Sequence, residues 1–279
     1  TLNESVARFG GRYALSSNQD IIFSGKYIDR EVHTTGINPD SPQPSDNVAD
    51  TVQSGLHFET QHLFRQKNFN SVMGGGSYGF DGIDNKIKRN NYYIYTNTHL
   101  SWNLTLSAGL SYDVYGNFAN NTDDKYHTKI NPKFGLQWDI TDKLRLRGAW
   151  FETTKADLIA QQTLEPTHIA GFNQFLDDFN GARSRRMGIG ADYRFSDIIL
   201  GGIEASARKF NLPSEEGPKR EEQLYRAYLY WIPHVYWVTR GEFQYENYEI
   251  PWQSPNTQDP QQLQTLRMPF SIEYFHPNG

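Results

Sequence analysis

The chain has no cysteine among its 279 residues, which removes disulfide frameworks, thiolate metal sites and cysteine nucleophiles together. No run approaches the ~18 apolar residues that a membrane-crossing helix needs. No basic stretch followed by an apolar one stands at its start, so no signal peptide is visible in this sequence. The HExxH and GxSxG signatures of zinc and serine hydrolases are missing, and Gly74-Gly75-Gly76 lacks the Lys-Ser/Thr that would complete a phosphate loop. Aliphatic residues are too few for an ordinary soluble core of this length, and the mean hydropathy is −0.71. Yet 17 Tyr, 17 Phe and 6 Trp are more rings than disordered chains carry. The formal charge of −5 is too mild to name a partner by itself. Basic residues are spread along the whole chain, which argues against a nucleic-acid partner.

What is present is alternation. Leu104, Leu106, Ala108, Leu110, Tyr112 and Val114 share one parity, opposite Thr105, Ser107, Gly109, Ser111 and Asp113. Phe134, Leu136, Trp138 and Ile140 repeat the pattern, as do Met187, Ile189, Ala191, Tyr193 and Phe195. A strand sends successive side chains to opposite faces, so period two predicts strands. About thirteen such segments are expected, near 6–15, 20–33, 52–66, 69–81, 91–102, 104–118, 126–140, 144–156, 184–195, 198–211, 222–232, 235–249 and 264–275. The class is all-β. Gly74–Gly76 falls inside a segment, where it is expected to permit curvature or a bulge.

Connections alternate between short turns, near 16–19, 66–68, 103, 141–143, 196–197 and 232–234, and longer polar loops. Such alternation predicts an antiparallel up-and-down meander with two unlike ends, the form of a transmembrane outer-membrane β-barrel with tight periplasmic turns and long outer loops. Trp102, Trp138, Trp231 and Trp237 lie close to the short turns, where a periplasmic aromatic girdle would stand. The bilayer is then the first partner. With short turns periplasmic, the first segment runs downward, so at least one strand is expected before residue 1. Residues 1–279 are accordingly read as an internal or truncated part of a barrel domain, with a closed total of about 14–16 strands and a periplasmic domain upstream.

With the apolar parity towards lipid, the inward set contains Arg8, Arg12, Lys26, Arg30, Arg145, Arg147, Arg186, Arg194, Arg208, Arg226, Arg240, Glu204 and Glu242. Bases outnumber acids on this parity, while much of the acid sits in loops. A guanidinium-lined lumen would attract an anionic solute or polymer. Cross-strand Arg–Glu ladders that fill a closed barrel are the competing expectation. The longest loop, 157–183, is unusually apolar: Phe172, Phe175, Leu176 and Phe179 stand at helical spacing, with Asp177 and Asp178 on the other side. It is expected to fold inward as a constriction, to cap the mouth, or to pack on a surface or periplasmic protein. His57 and His62 share a strand at odd separation and face opposite sides, so they share no metal. Asp81, Asp84 and Asn85, like Asp123 and Asp124, read more readily as solvated turns than as calcium loops. No catalytic set, metal or cofactor is expected.

Three runs carry a family likeness: Asn131-Pro-Lys-Phe-Gly-Leu-Gln-Trp-Asp-Ile-Thr, Leu144-Arg-Leu-Arg-Gly-Ala-Trp-Phe, and Leu164-Glu-Pro-Thr-His-Ile-Ala-Gly-Phe-Asn-Gln-Phe-Leu-Asp-Asp. They resemble the C-terminal barrel of tetratricopeptide-repeat outer-membrane proteins, which is distantly similar to TonB-dependent receptor barrels. The likeness covers residues 126–250 and is most specific over Leu164–Asp178. It implies a helical-repeat domain ahead of the barrel and export of exopolysaccharide. A TonB-dependent receptor would instead have about 22 strands and a plug. Two functions are thus expected: a channel for an anionic solute or polymer, gated by loop 157–183, or a non-conducting barrel that anchors a partner.

Overall fold

The computed structural model describes residues 2–36, 47–81, 85–119, 126–155, 162–174, 181–211, 220–250 and 261–276. Its strands are β1 (Leu2–Ser16), β2 (Gln19–Gly36), β3 (Asn47–Arg65), β4 (Phe69–Asp81), β5 (Asn85–Leu100), β6 (Leu104–Ala119), β7 (Tyr126–Asp139) and β8 (Leu144–Thr154), then the two-residue pair β9 (His168–Ile169) and β10 (Phe172–Asn173). They continue as β11 (Arg183–Arg194), β12 (Ile199–Asn211), β13 (Arg220–His234), β14 (Trp237–Glu249), β15 (Gln262–Arg267) and β16 (Phe270–Tyr274). Only one helical turn, Ser101–Asn103, appears among the described residues.

Fourteen strands join one sheet, in the order β1 through β8, then β11 through β15, with β16 also on β14. Each expected segment corresponds to a strand. β15 and β16 are one path broken at Pro269, which has no N–H for the ladder but accepts Glu242 N–H through its carbonyl at 2.9 Å. β5 begins six residues earlier than expected, because Lys86, Lys88 and Asn90 mask the alternation at its start. The bulge among the Gly74–Gly76 expectations needs correcting. The β3–β4 register runs through these residues without a shift. A Cβ at Gly74 would lie 2.7 Å from the Tyr93 hydroxyl, and one at Gly76 2.8 Å from Glu59 Cγ. The glycines make room for neighbouring side chains rather than a bulge.

By its contacts the chain divides into two units. Unit 1 holds residues 1–95, 110–130 and 156–166; unit 2 holds 96–109, 131–155 and 167–279. Within each unit one sheet face carries exposed large hydrophobics, such as Phe9, Tyr13, Tyr27, Phe58 and Tyr92 in unit 1, and Phe134, Ile189, Ile203 and Phe243 in unit 2. The opposite face carries buried charges and amides. This inversion accounts for the low mean hydropathy of a ring-rich chain: rings cover one sheet face, and polar groups fill the other. Part of that polar face in unit 1 is closed by an apolar cluster of Ile28, Tyr78, Ile87 and Tyr115.

Candidate functional site

In unit 1 the antiparallel register sets Arg8 opposite Lys26, Ser24 opposite Glu59, and Glu59 opposite Gly76, which places all of them on the polar face. Lys26, Glu59, Gln61, Arg89 and Asp113 are each more than nine-tenths buried. Buried charges are tolerated only when paired and hydrogen-bonded, and the segment 162–166 completes that pairing. Glu59 accepts the Thr163 hydroxyl at 2.5 Å and the Leu164 N–H at 3.0 Å. Lys26 donates to the Gln162 carbonyl at 2.6 Å, and Gln61 to the Leu164 carbonyl at 2.5 Å. Tyr95 donates to Glu165 at 2.6 Å. Arg89 grips Asp113 with two nitrogens at 2.6 and 2.9 Å, and Asn91 donates to the same oxygen. The segment is thereby strapped to the strands by its backbone at Gln162 and Leu164 and by the Thr163 and Glu165 side chains.

Unit 2 holds a second insertion. β9 and β10 form a miniature hairpin across Ala170 and Gly171, both at positive φ (47° and 87°), as a two-residue primed turn requires. The register aligns Gly135 with Ala149, Ala149 with Gly188, and Gly188 with Ser206. This transverse row of small residues leaves a slot on the polar face, and the hairpin fills it. A Cβ at Gly135 would lie 2.7 Å from Ala170 Cβ, and one at Gly188 2.4 Å from the Phe172 ring. Ile169 and Phe172 are fully buried. The Arg147 guanidinium sits 4.9 Å from the Phe172 ring centroid, a cation–π contact. Arg186 donates to the Asn173 carbonyl at 3.1 Å.

All thirteen expected inward residues fall on the polar faces of their units, and most are paired. Arg12 bonds Asp20, Arg30 bonds Glu4, and Arg145 bonds Asp139. Arg147 bridges Asp192 and Glu204 at 3.0 and 3.1 Å, and Arg186 lies 3.7 Å from Glu204. Arg208 pairs with Glu222, while Arg226 and Arg240 share Glu242. Arg8 and Arg194 have no carboxylate partner among the described residues. Geometrically this is largely the ladder arrangement. The helical spacing read for 172–179 needs correcting at its first member: Phe172 is in a strand, because the positive-φ pair before it turns the chain into a hairpin. Phe175, Leu176, Asp177, Asp178 and Phe179 lie outside the described residues, as do Asp84, Asp123 and Asp124. Trp102, Trp138, Trp231 and Trp237 are all exposed and at or beside short turns, Trp102 at φ 64°. Among the described residues no cluster of three or more His, Asp or Glu is arranged to hold a metal.

Gln61, Tyr95, Glu165 and the Gly135–Gly188 row were missed by parity alone. Their signal is small or amide residues on a charged parity, legible only once strands distant in sequence are aligned.

A family model described as TonB dependent receptor-like, beta-barrel, matches residues 2–208. No curated protein matches the chain. Among solved structures, the copper transporter OprC is similar with a TM-score of 0.67 at 12% identity, covering 98% of this chain and 51% of its own. The ferric preacinetobactin receptor BauA of Acinetobacter baumannii gives 0.63 at 11% identity, covering 91% and 46%. The FrpB iron transporter of Neisseria meningitidis gives 0.64 at 9%, covering 88% and 44%. The chain spans about half the length of these structures, and at such identities the likeness is one of fold.

Proposed function

Because this chain belongs to the TonB dependent receptor-like β-barrel family, whose members are integral to the outer membrane, we propose that it forms barrel wall in a receptor for gated uptake of a metal-bearing solute. Residues 162–174 are the fixed seat of its gate. The observation that carries this reading is that, in each unit, part of the polar face is covered by the chain's own residues. Glu59, Lys26 and Gln61 hold 162–166, and the Gly135–Ala149–Gly188 row holds the β9–β10 hairpin. A cover tied down by buried hydrogen bonds fits a path that opens only when gated. The solute class is taken from neighbours named as copper and iron transporters and a ferric-chelate receptor. Uptake of a radiolabelled ferric or cupric chelate into cells expressing the intact protein tests it. Loss of uptake on removal of TonB is expected. Undiminished uptake without TonB, or steady current in planar bilayers, would sink the proposal.

A second reading keeps passage of an anionic solute or of a polymer such as exopolysaccharide. Two features favour it: Arg8 and Arg194 stand on the polar face without acid partners, and Leu164–Asp178 resembles the repeat-associated export barrels. The paired state of the other arginines weighs against a strong anionic field, since each pair cancels most of its charge.

A further inference from the structure

We propose that the short-turn end of the unit 2 polar face is a binding site for a small, doubly charged oxyanion. A cavity of about 520 Å³ opens there, lined by Lys143, Arg145, Arg194, Arg226, Tyr228 and Tyr230, with Gly171 of the hairpin turn in its wall. That volume suits a small ligand. The pairing around the cavity decides its charge. Arg145 is committed to Asp139 at 2.6 and 3.1 Å, and Arg147 and Arg186 together offset Asp192 and Glu204. Glu242 serves both Arg226 and Arg240, which leaves one positive charge uncompensated. Arg194 and Lys143 have no acid partner among the described residues. Asp142 offsets one of these charges, so a surplus of two positive charges remains, the complement of a dianion.

Donor geometry fits the same class. A guanidinium offers two parallel N–H groups to two oxygens of a tetrahedral or planar anion, and the Lys143 ammonium adds a point charge from the turn. The Tyr228 hydroxyl is held by Asp192 and Arg147, whereas the Tyr230 hydroxyl makes no hydrogen bond among the described residues and is free to donate. Arg194 and Lys143 are exposed, so the site is reached from water and its affinity is screened by salt.

The inference rests on reading the polar face as a solute path, but its test is independent of uptake. Inorganic phosphate is titrated into the intact protein in detergent at low ionic strength, and binding is followed by calorimetry. Arg194→Gln and Lys143→Gln are each expected to weaken binding about ten-fold, the scale of one charge-assisted hydrogen bond. Lys86→Gln, which removes an exposed charge paired with Asp81 in unit 1, is expected to leave binding unchanged. No phosphate binding by the unmodified protein, or equal affinity in the double variant with its fold confirmed by circular dichroism, overturns the site. If phosphate binding is absent while uptake remains TonB-driven, only this inference falls. If phosphate binds but uptake ignores TonB, only the functional reading falls.

Discussion

At the scale of single residues, the decisive atoms are ones that are missing. Gly188 has no Cβ where the Phe172 ring needs the space, 2.4 Å from where that atom would be. Interiors are packed too closely to absorb such an overlap, and overpacking typically costs about 1–3 kcal/mol. Gly188→Ala should therefore lift the hairpin from its slot. The readout is exchange of the Gln174 amide hydrogen, which bonds the Thr167 carbonyl at 2.9 Å: it should speed up at least about ten-fold, and an unchanged rate would remove the slot from the account. Ala170 supplies the opposite test. It sits at φ 47°, where a Cβ costs roughly 1 kcal/mol that glycine escapes. Ala170→Gly should slow the same exchange, and faster exchange would contradict the primed-turn assignment. These positions also mark the limit of reading from sequence. The parity of Arg147, Glu204 and Arg226 was legible because period two is local. The Gly135–Ala149–Gly188 row was not, since it depends on register between strands some fifty residues apart. Phe172 was misread for a related reason: helical spacing in a short run cannot reveal the turn that precedes it.

At the scale of elements, the strands were legible and the insertions were not. Alternation with turn residues located every path of the sheet, including the broken β15–β16 path. The strap 162–166 has no periodicity, because extended backbone is held by partners rather than by its own pattern. Glu59 is the central partner, accepting from Thr163 and Leu164 and lying 4.0 Å from Lys26 and 3.7 Å from His57. Removing one member of a buried ionic set leaves its neighbours uncompensated, at a cost of about 3–5 kcal/mol. Glu59→Ala should free the strap, seen as new protease cleavage between Gln162 and Pro166 and a lowered unfolding temperature. Glu59→Gln retains an acceptor for the Leu164 N–H, so it should protect the strap better than alanine does. Equal cleavage of the two variants would mean that the carboxylate's charge, rather than its hydrogen bonds, holds the segment.

At the scale of the whole molecule the question is whether the polar face acts as an open charged wall or as a filled, paired interior. Charge reversal at two neighbouring polar-face arginines separates these. Arg145 is nearly half exposed and pairs with a similarly exposed Asp139, and such a pair contributes only about 0–1 kcal/mol. Arg147 has a side chain 7% exposed and bridges Asp192 and Glu204 beneath the Phe172 ring. Arg145→Glu should thus fold to nearly the normal yield. Arg147→Glu would set three carboxylates against one another in a buried place and remove the cation from the hairpin's underside. Its expected outcome is a sharp loss of folded protein, measured as the heat-modifiable band on electrophoresis after insertion into lipid. An open anion-conducting wall predicts something else: both variants fold, and the reversal potential of bilayer currents changes sign. Normal folding of Arg147→Glu with inverted selectivity would therefore discard the gated receptor and restore the channel. Failure of Arg147→Glu alone would leave the arginines as internal ties, with the surplus charge at Arg194 and Lys143 as the part of the wall still free to meet a solute.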